Sequence, residues 1–324
     1  PMDLRQTLFA LAAEHGVAAD ARLQAAAGLQ GEPAAVRHRG PFVLRATAAT
    51  LVGLGLVFWV AANWDTLGRA ARFGLLQGLL LLALAGAAMR PAARAAFSLL
   101  AWLVTGGLLA CFGQIYQTGA DPWPLFALWA LLTLPLALAA RSDLVWVPWV
   151  LVAMVAVSLW TQAHAGHRWR TDADTLPLFL QAWGATLALP ALLSPAAARW
   201  TGAGPWALRT AITLAVVAIT VTALGALFGS PVQAHYGLGL VVLLALTWGL
   251  ARPATVDLHG LSVAWAGLDT LLVCGLARWL FHGSGGDTAG KLLVLGVAAA
   301  VLVAASVASL LRRVRQARTT ERPA

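Results

Sequence analysis

The sequence predicts an all-α, polytopic membrane protein, and three observations carry that reading. Of its 324 residues, 60% are hydrophobic and only 11% charged, against about 25% charged in a soluble domain. Mean hydropathy is +0.77. The apolar residues gather into runs long enough to cross a bilayer, about 20 residues at a rise of about 1.5 Å each. The expected fold is a bundle of about ten transmembrane helices preceded by a small N-terminal helical hairpin.

Residues 1–40 are the expected cytosolic hairpin. "DLRQTLFALAAEHG" places Leu4, Leu8, Leu11 and Ala12 on one helical face and stops at Gly16. "AADARLQAAAGLQGEP" reads as a second short helix, with Asp20 at its start and Gly31 and Pro33 past its end. Pro1 ahead of Met2 reads as a cloning remnant. No cleavable signal peptide is expected, because the first apolar span begins near Phe42.

Residues 41–311 form the expected membrane bundle, with apolar spans at 42–62, 73–89, 96–113, 123–140, 144–161, 177–194, 210–229, 236–251, 260–281 and 292–311. Spans 73–89 and 236–251 are short, so a nine-span chain stays open. Residues 312–324 are a basic tail, expected in the cytosol. With the N-terminus in the cytoplasm, sixteen of the 22 cationic residues fall on the inner side. Arg69, Arg72, Arg168, Arg170, Arg278 and Lys291 are the other six. That asymmetry obeys the positive-inside rule and puts both termini in the cytoplasm of a bacterial inner membrane. Trp64, Trp123, Trp160, Trp169, Trp200, Trp206 and Trp279 fall at expected interfaces. Gly74 and Gly78 make a GxxxG, and Ala46, Ala49 and Gly53 a small-residue stripe, both suited to close helix packing.

The net charge of +9 does not point to nucleic acid, because the arginines are scattered between apolar runs rather than clustered with aromatics. Cys111 and Cys274 lie inside spans and form no disulfide framework or metal motif. His164-x-x-His167, with Asp172 and Asp174 nearby, is weak zinc spacing in a loop that also holds Arg168 and Arg170, and reads as solvated loop residues. There is no phosphate loop, nucleophile elbow or zinc-protease motif. No catalytic residue, metal or cofactor is expected, and an enzyme is the least favoured class.

The stretch "TLVGLGLVFWVAANWD" (50–65) ends the first span, and "GQIYQTGADPWPLFALWALLTLPLALAARS" (113–142) leads into and through the fourth. With the N-terminal hairpin, they resemble an uncharacterised family of bacterial membrane proteins, domain of unknown function 2157. The resemblance covers roughly the first half of the chain. It implies a multi-span inner-membrane protein and brings no activity with it.

Asp269 is the chief candidate for chemistry. It sits near the midpoint of "HGLSVAWAGLDTLLVCGLARWLFHG" (259–283). A charge there costs at least about 2.5–3.5 kcal/mol unless it faces protein, water or a cation, or takes a proton. Arg278 is nine residues away, about 180° around the helix and about 13 Å along it, so the two do not pair. The face of Asp269 carries Ser262, Trp265, Ala266, Val273 and Leu276. Two readings stand: a protonatable or cation-binding site in a transport path, or a structural hydrogen bond to Gln77, Thr105, Gln181, Thr213 or Thr220 on another helix. A second group, Asn63, Asp65, Gln114, Tyr116, Gln117 and Asp121, maps to the outer side and suits a pocket for a polar solute, ion or lipid head group. The expected function is a small-solute or ion transporter, proton-linked through Asp269. The alternative is a structural or regulatory membrane subunit that docks a protein partner through its N-terminal hairpin.

Overall fold

The computed structural model describes residues 34–63, 66–116, 121–166, 171–252, 257–282 and 287–320. The N-terminal hairpin expected before residue 34 lies outside them. Ten long helices follow in order: α1 (Ala34–Ala62), α2 (Arg69–Met89), α3 (Arg94–Tyr116), α4 (Trp123–Ala140), α5 (Asp143–His164), α6 (Leu176–Leu192), α7 (Pro205–Phe228), α8 (Ala234–Leu250), α9 (Leu258–Phe281) and α10 (Thr288–Thr320). No strand interrupts them among the described residues. The protein is an all-α, multi-pass membrane protein.

Nine of these helices are long and apolar enough to cross a membrane. Span 73–89 is among them, because α2 reaches back to Arg69 and runs for 21 residues. The exception is α8, with 17 residues, or about 25 Å of rise against a hydrocarbon core of about 30 Å; α6 has 17 as well, but a 3-10 turn at Ala173–Thr175 extends its span to 20. Both of its ends are tied to neighbouring helices. Near its start, the Tyr236 hydroxyl donates to the Leu271 carbonyl in the last half of α9, at 3.0 Å. At its other end, the Ala251 carbonyl accepts from the Arg313 guanidinium near the end of α10.

Consecutive helices run antiparallel, so odd-numbered helices share one direction. The helices α1, α3, α5, α7 and α9 pack successively into a row. The even helices lie against it: α2 on α3, α4 on α3 and α5, α6 on α5 and α7, α8 on α7 and α9, and α10 on α9. The first and last helices, α1 and α10, are the least covered of those described. Leu44, Leu51 and Phe58 of α1 and Leu293, Val301 and Val303 of α10 are all exposed, as lipid-facing side chains are.

Local chemistry fixes where the helices turn. After α4, Arg141 takes the left-handed conformation at φ 47°, and Ser142 caps α5, its hydroxyl accepting from the Leu144 amide at 3.3 Å. The next residue, Asp143, reaches across to the start of α7. Its carboxylate accepts from the backbone amides of Gly204, Trp206 and Ala207 at 2.7, 3.0 and 3.3 Å. Free N–H groups at a helix start attract an anion, so one side chain at the start of α5 also closes the start of α7. Gly202 sits beside Arg141 at φ 62°. A Cβ there would strike the Arg141 side chain, which leaves glycine as the residue that fits. One helix pair further on, Asp257 caps α9 through the Gly260 amide at 2.9 Å and pairs with Arg209 of α7, also at 2.9 Å.

Inside the bundle, close approach is set by glycines facing large side chains. A Cβ on Gly267 would lie 2.7 Å from Val216 and 2.9 Å from the Thr220 hydroxyl. One on Gly239 would lie 2.7 Å from Ala223, and one on Gly53 2.9 Å from Leu103. On Gly106 it would run into the Trp129 ring. The Gly53 end of the expected small-residue stripe is therefore a contact. The GxxxG of Gly74 and Gly78 is not, because a Cβ on either would meet open space. Helix α2 turns other residues, Leu76 and Ala83, into the core.

Tryptophan serves two purposes. Trp200, Trp206 and Trp279 are exposed at helix ends. Others tie helices together through their indole N–H: Trp129 to the Trp102 carbonyl at 3.0 Å, Trp149 to the Ala130 carbonyl at 2.8 Å, and Trp146 to the Thr201 carbonyl at 3.0 Å.

Gly267→Val should overpack the α7–α9 contact at a cost of about 1–3 kcal/mol. It should lower the thermal unfolding midpoint of the detergent-purified protein by several degrees. Gly74→Val should leave that midpoint unchanged.

Candidate functional site

Hydroxyls inside the bundle have no water to bond, and the chain deals with most of them locally. Thr105, Thr133, Thr161, Thr213, Thr222, Thr247 and Thr270 each donate to the carbonyl four residues earlier, at 2.7–2.8 Å. Against that background the atoms left over stand out. Among the described residues they include Asp269 Oδ1, Thr220 Oγ1, Thr171 Oγ1 and Trp183 Nε1. The ring nitrogens of fully buried His235 join them.

Asp269 lies midway along α9 and is 8% exposed. Its Oδ2 accepts a 2.8 Å hydrogen bond from Ser306 Oγ of α10. Ser306 is the one buried residue among those of α10 whose burial is described, so the last helix is pinned to the bundle at the carboxylate. Oδ1 has no hydrogen-bond partner. The pair opens into a cleft of about 530 Å³ between α9 and α10, lined by Trp265, Thr270 and Cys274 on one side and Val303, Val307 and Leu310 on the other. The hydroxyls at the rim are already spent: Ser262 on the His259 carbonyl at 2.8 Å and Thr270 on the Ala266 carbonyl at 2.7 Å. The second carboxylate oxygen, itself buried, is thus an unsatisfied acceptor beside the cleft.

The helical face read from the sequence agrees with this lining at Ser262, Trp265, Ala266 and Val273. The hydrogen-bond partner was not anticipated. Of the five residues proposed for that role, Thr105 and Thr213 are committed to their own helices, and Thr220 faces Gly267. The actual partner is a serine in an Ala- and Val-rich helix. Its only sequence signal is that it is a hydroxyl where the neighbours are aliphatic. Cys274, read as packing, lines the cleft and is partly exposed. Arg278 points away, as helix geometry requires, and donates to the Gly229 carbonyl at the end of α7 at 2.8 Å.

The second group divides. Asp65 and Gln117 lie outside the described residues. The Asn63 amide donates to the Trp59 carbonyl of its own helix at 2.9 Å. Tyr116 is 56% exposed and stacks on Phe112 with ring centres 4.6 Å apart. Asp121 is half-buried just before α4. Gln114 lines a cavity of about 320 Å³ between α1, α2 and α3, beside Cys111. At the last residue of α5, His164 Nδ1 lies 2.8 Å from the Trp160 carbonyl, and His167 is outside the described residues. No cluster of three or more metal-ligating side chains forms among the described residues.

Comparison with known families adds one fact to this geometry. Residues 10–146 match the family described as predicted membrane protein (DUF2157). That segment runs from the N-terminal region to the first residues of α5 and takes in the stretches at 50–65 and 113–142. The Asp269 cleft lies beyond it. No curated protein and no solved structure matches the chain.

Ser306→Ala should release α10 from the carboxylate. In a Cys111→Ala background, modification of Cys274 by a thiol reagent should speed up about fivefold, the equivalent of one hydrogen bond of about 1 kcal/mol.

Proposed function

We propose that this is a small-solute or ion transporter of the bacterial inner membrane, proton-linked through Asp269. The observation that supports it is a buried carboxylate midway along α9 that lines a cleft and whose Oδ1 has no hydrogen-bond partner. An acid there is costly to keep and marks ion or proton pathways. Ser306 holds one oxygen and leaves the other to exchange a proton.

Orientation follows from charge. Arg141, Arg199, Arg209, Arg252 and Arg313 gather at the face where α5, α7 and α9 begin, and the positive-inside rule assigns that face, with both termini, to the cytoplasm. Asn63, Asp65, Gln114, Tyr116, Gln117 and Asp121 then belong to the outward side, where they offer polar contacts to a solute. Those among the described residues, Asn63, Gln114, Tyr116 and Asp121, lie on or beside α1, α3 and α4, at the other end of the helix row from α9 and α10, so the proposal rests on the Asp269 cleft.

The test is proton flux in proteoliposomes loaded with a pH-sensitive dye under an imposed potassium diffusion potential. The native protein should carry protons faster than empty vesicles, and Asp269→Asn should return the rate to theirs. A native rate equal to that of empty vesicles, or an unchanged rate in folded Asp269→Asn protein, sinks the reading.

A further inference from the structure

Away from the α9–α10 cleft and the Gln114 cavity, a third cavity opens between α5, α6 and α7. Its volume is about 390 Å³, inside the range of about 300–1,000 Å³ typical of small-molecule sites. Its mouth is formed by Leu151, Val155, Val217 and Val221, which are 38–63% exposed on the apolar surface of the bundle. An occupant therefore arrives from the bilayer, and most of its surface must be apolar. The floor is different. Thr171 and Trp183 line it, 8% and 3% exposed, and neither Thr171 Oγ1 nor Trp183 Nε1 has a partner. The other threonines on the wall, Thr161, Thr186 and Thr222, have already bonded backbone carbonyls. An indole N–H can only donate, so the missing partner at Trp183 is an acceptor.

We infer that this cavity binds an apolar molecule bearing a carbonyl oxygen, taken from the bilayer, with the oxygen on Trp183 Nε1. Ester lipids and quinones share that chemistry. The site shares no residue with the Asp269 cleft, so it stands whether or not the protein carries protons.

The test is photo-crosslinking of the full chain in phosphatidylethanolamine–phosphatidylglycerol vesicles. One arm is doped with a diazirine-acyl phosphatidylethanolamine and the other with an azidoquinone, and adducts are mapped by mass spectrometry. At least one probe should label inner-wall residues such as Met154, Thr186 and Ala218, and the arm that labels names the source. Trp183→Phe keeps the ring and removes the donor, and should cut that labelling about fivefold, the worth of one hydrogen bond of about 1 kcal/mol. Ala218→Trp should fill the cavity and abolish it. If Ala218→Trp does not fold, Trp183→Phe decides alone. Adducts confined to the outward Val217 and Val221, or inner-wall labelling unchanged in folded Trp183→Phe, overturn the inference.

Discussion

Hydrocarbon offers no hydrogen-bond partner, and the rest of this structure is organised around that deficiency. The backbone answers it by being helical throughout the described spans. Threonines answer it by bonding back to their own helix, as Thr105, Thr161 and Thr247 do. Several tryptophans answer it by reaching to the carbonyl of a neighbouring helix, which turns a requirement for satisfaction into a tie between helices. At the arginine-rich face, Asp143 answers it for another element, closing the amides at the start of α7 from the start of α5. Each device removes an exposed polar group and leaves helices placed relative to one another.

Because the solution is so thorough, the exceptions carry information. In a soluble protein an unpaired hydroxyl or indole can be met by passing water. Here the same atom, at the depth of Asp269 or Trp183, keeps its deficit until something comes to it. The two clefts differ in what they lack. One is short of a donor or a cation beside a carboxylate oxygen, and the other is short of an acceptor beside an indole. Opposite deficits call for different occupants, which is why the two sites are separate readings rather than two ends of one path.

Much of the architecture was legible in the sequence because hydrophobicity and length alone decide where a chain can cross a bilayer. The spans, their alternation and the isolation of Asp269 from Arg278 followed from helical rise and rotation. Packing was less legible. Gly74 and Gly78 have the right spacing for a helix contact but the wrong rotation, whereas Gly106 and Gly267 make contacts with no motif around them. What decides is which neighbour each residue meets, and that depends on tertiary arrangement. The same holds for the site: the face of Asp269 could be drawn from one helix, but its partner Ser306 is 37 residues away. The cavity floor at Thr171 and Trp183 left no sequence signal, since a threonine and a tryptophan are ordinary until their neighbours are known.

The brevity of α8 has a consequence for the membrane itself. It is buried on one side against α7 and α9, which are 24 residues each, yet part of its surface, including Val241, Leu244 and Trp248, is exposed. Lipids beside that surface meet a hydrophobic band about 5 Å narrower than the core they came from. A short span is accommodated by a thinner bilayer, by flanking side chains that snorkel or by a neighbouring subunit, so the flank along α8 is where this protein is most sensitive to acyl-chain length.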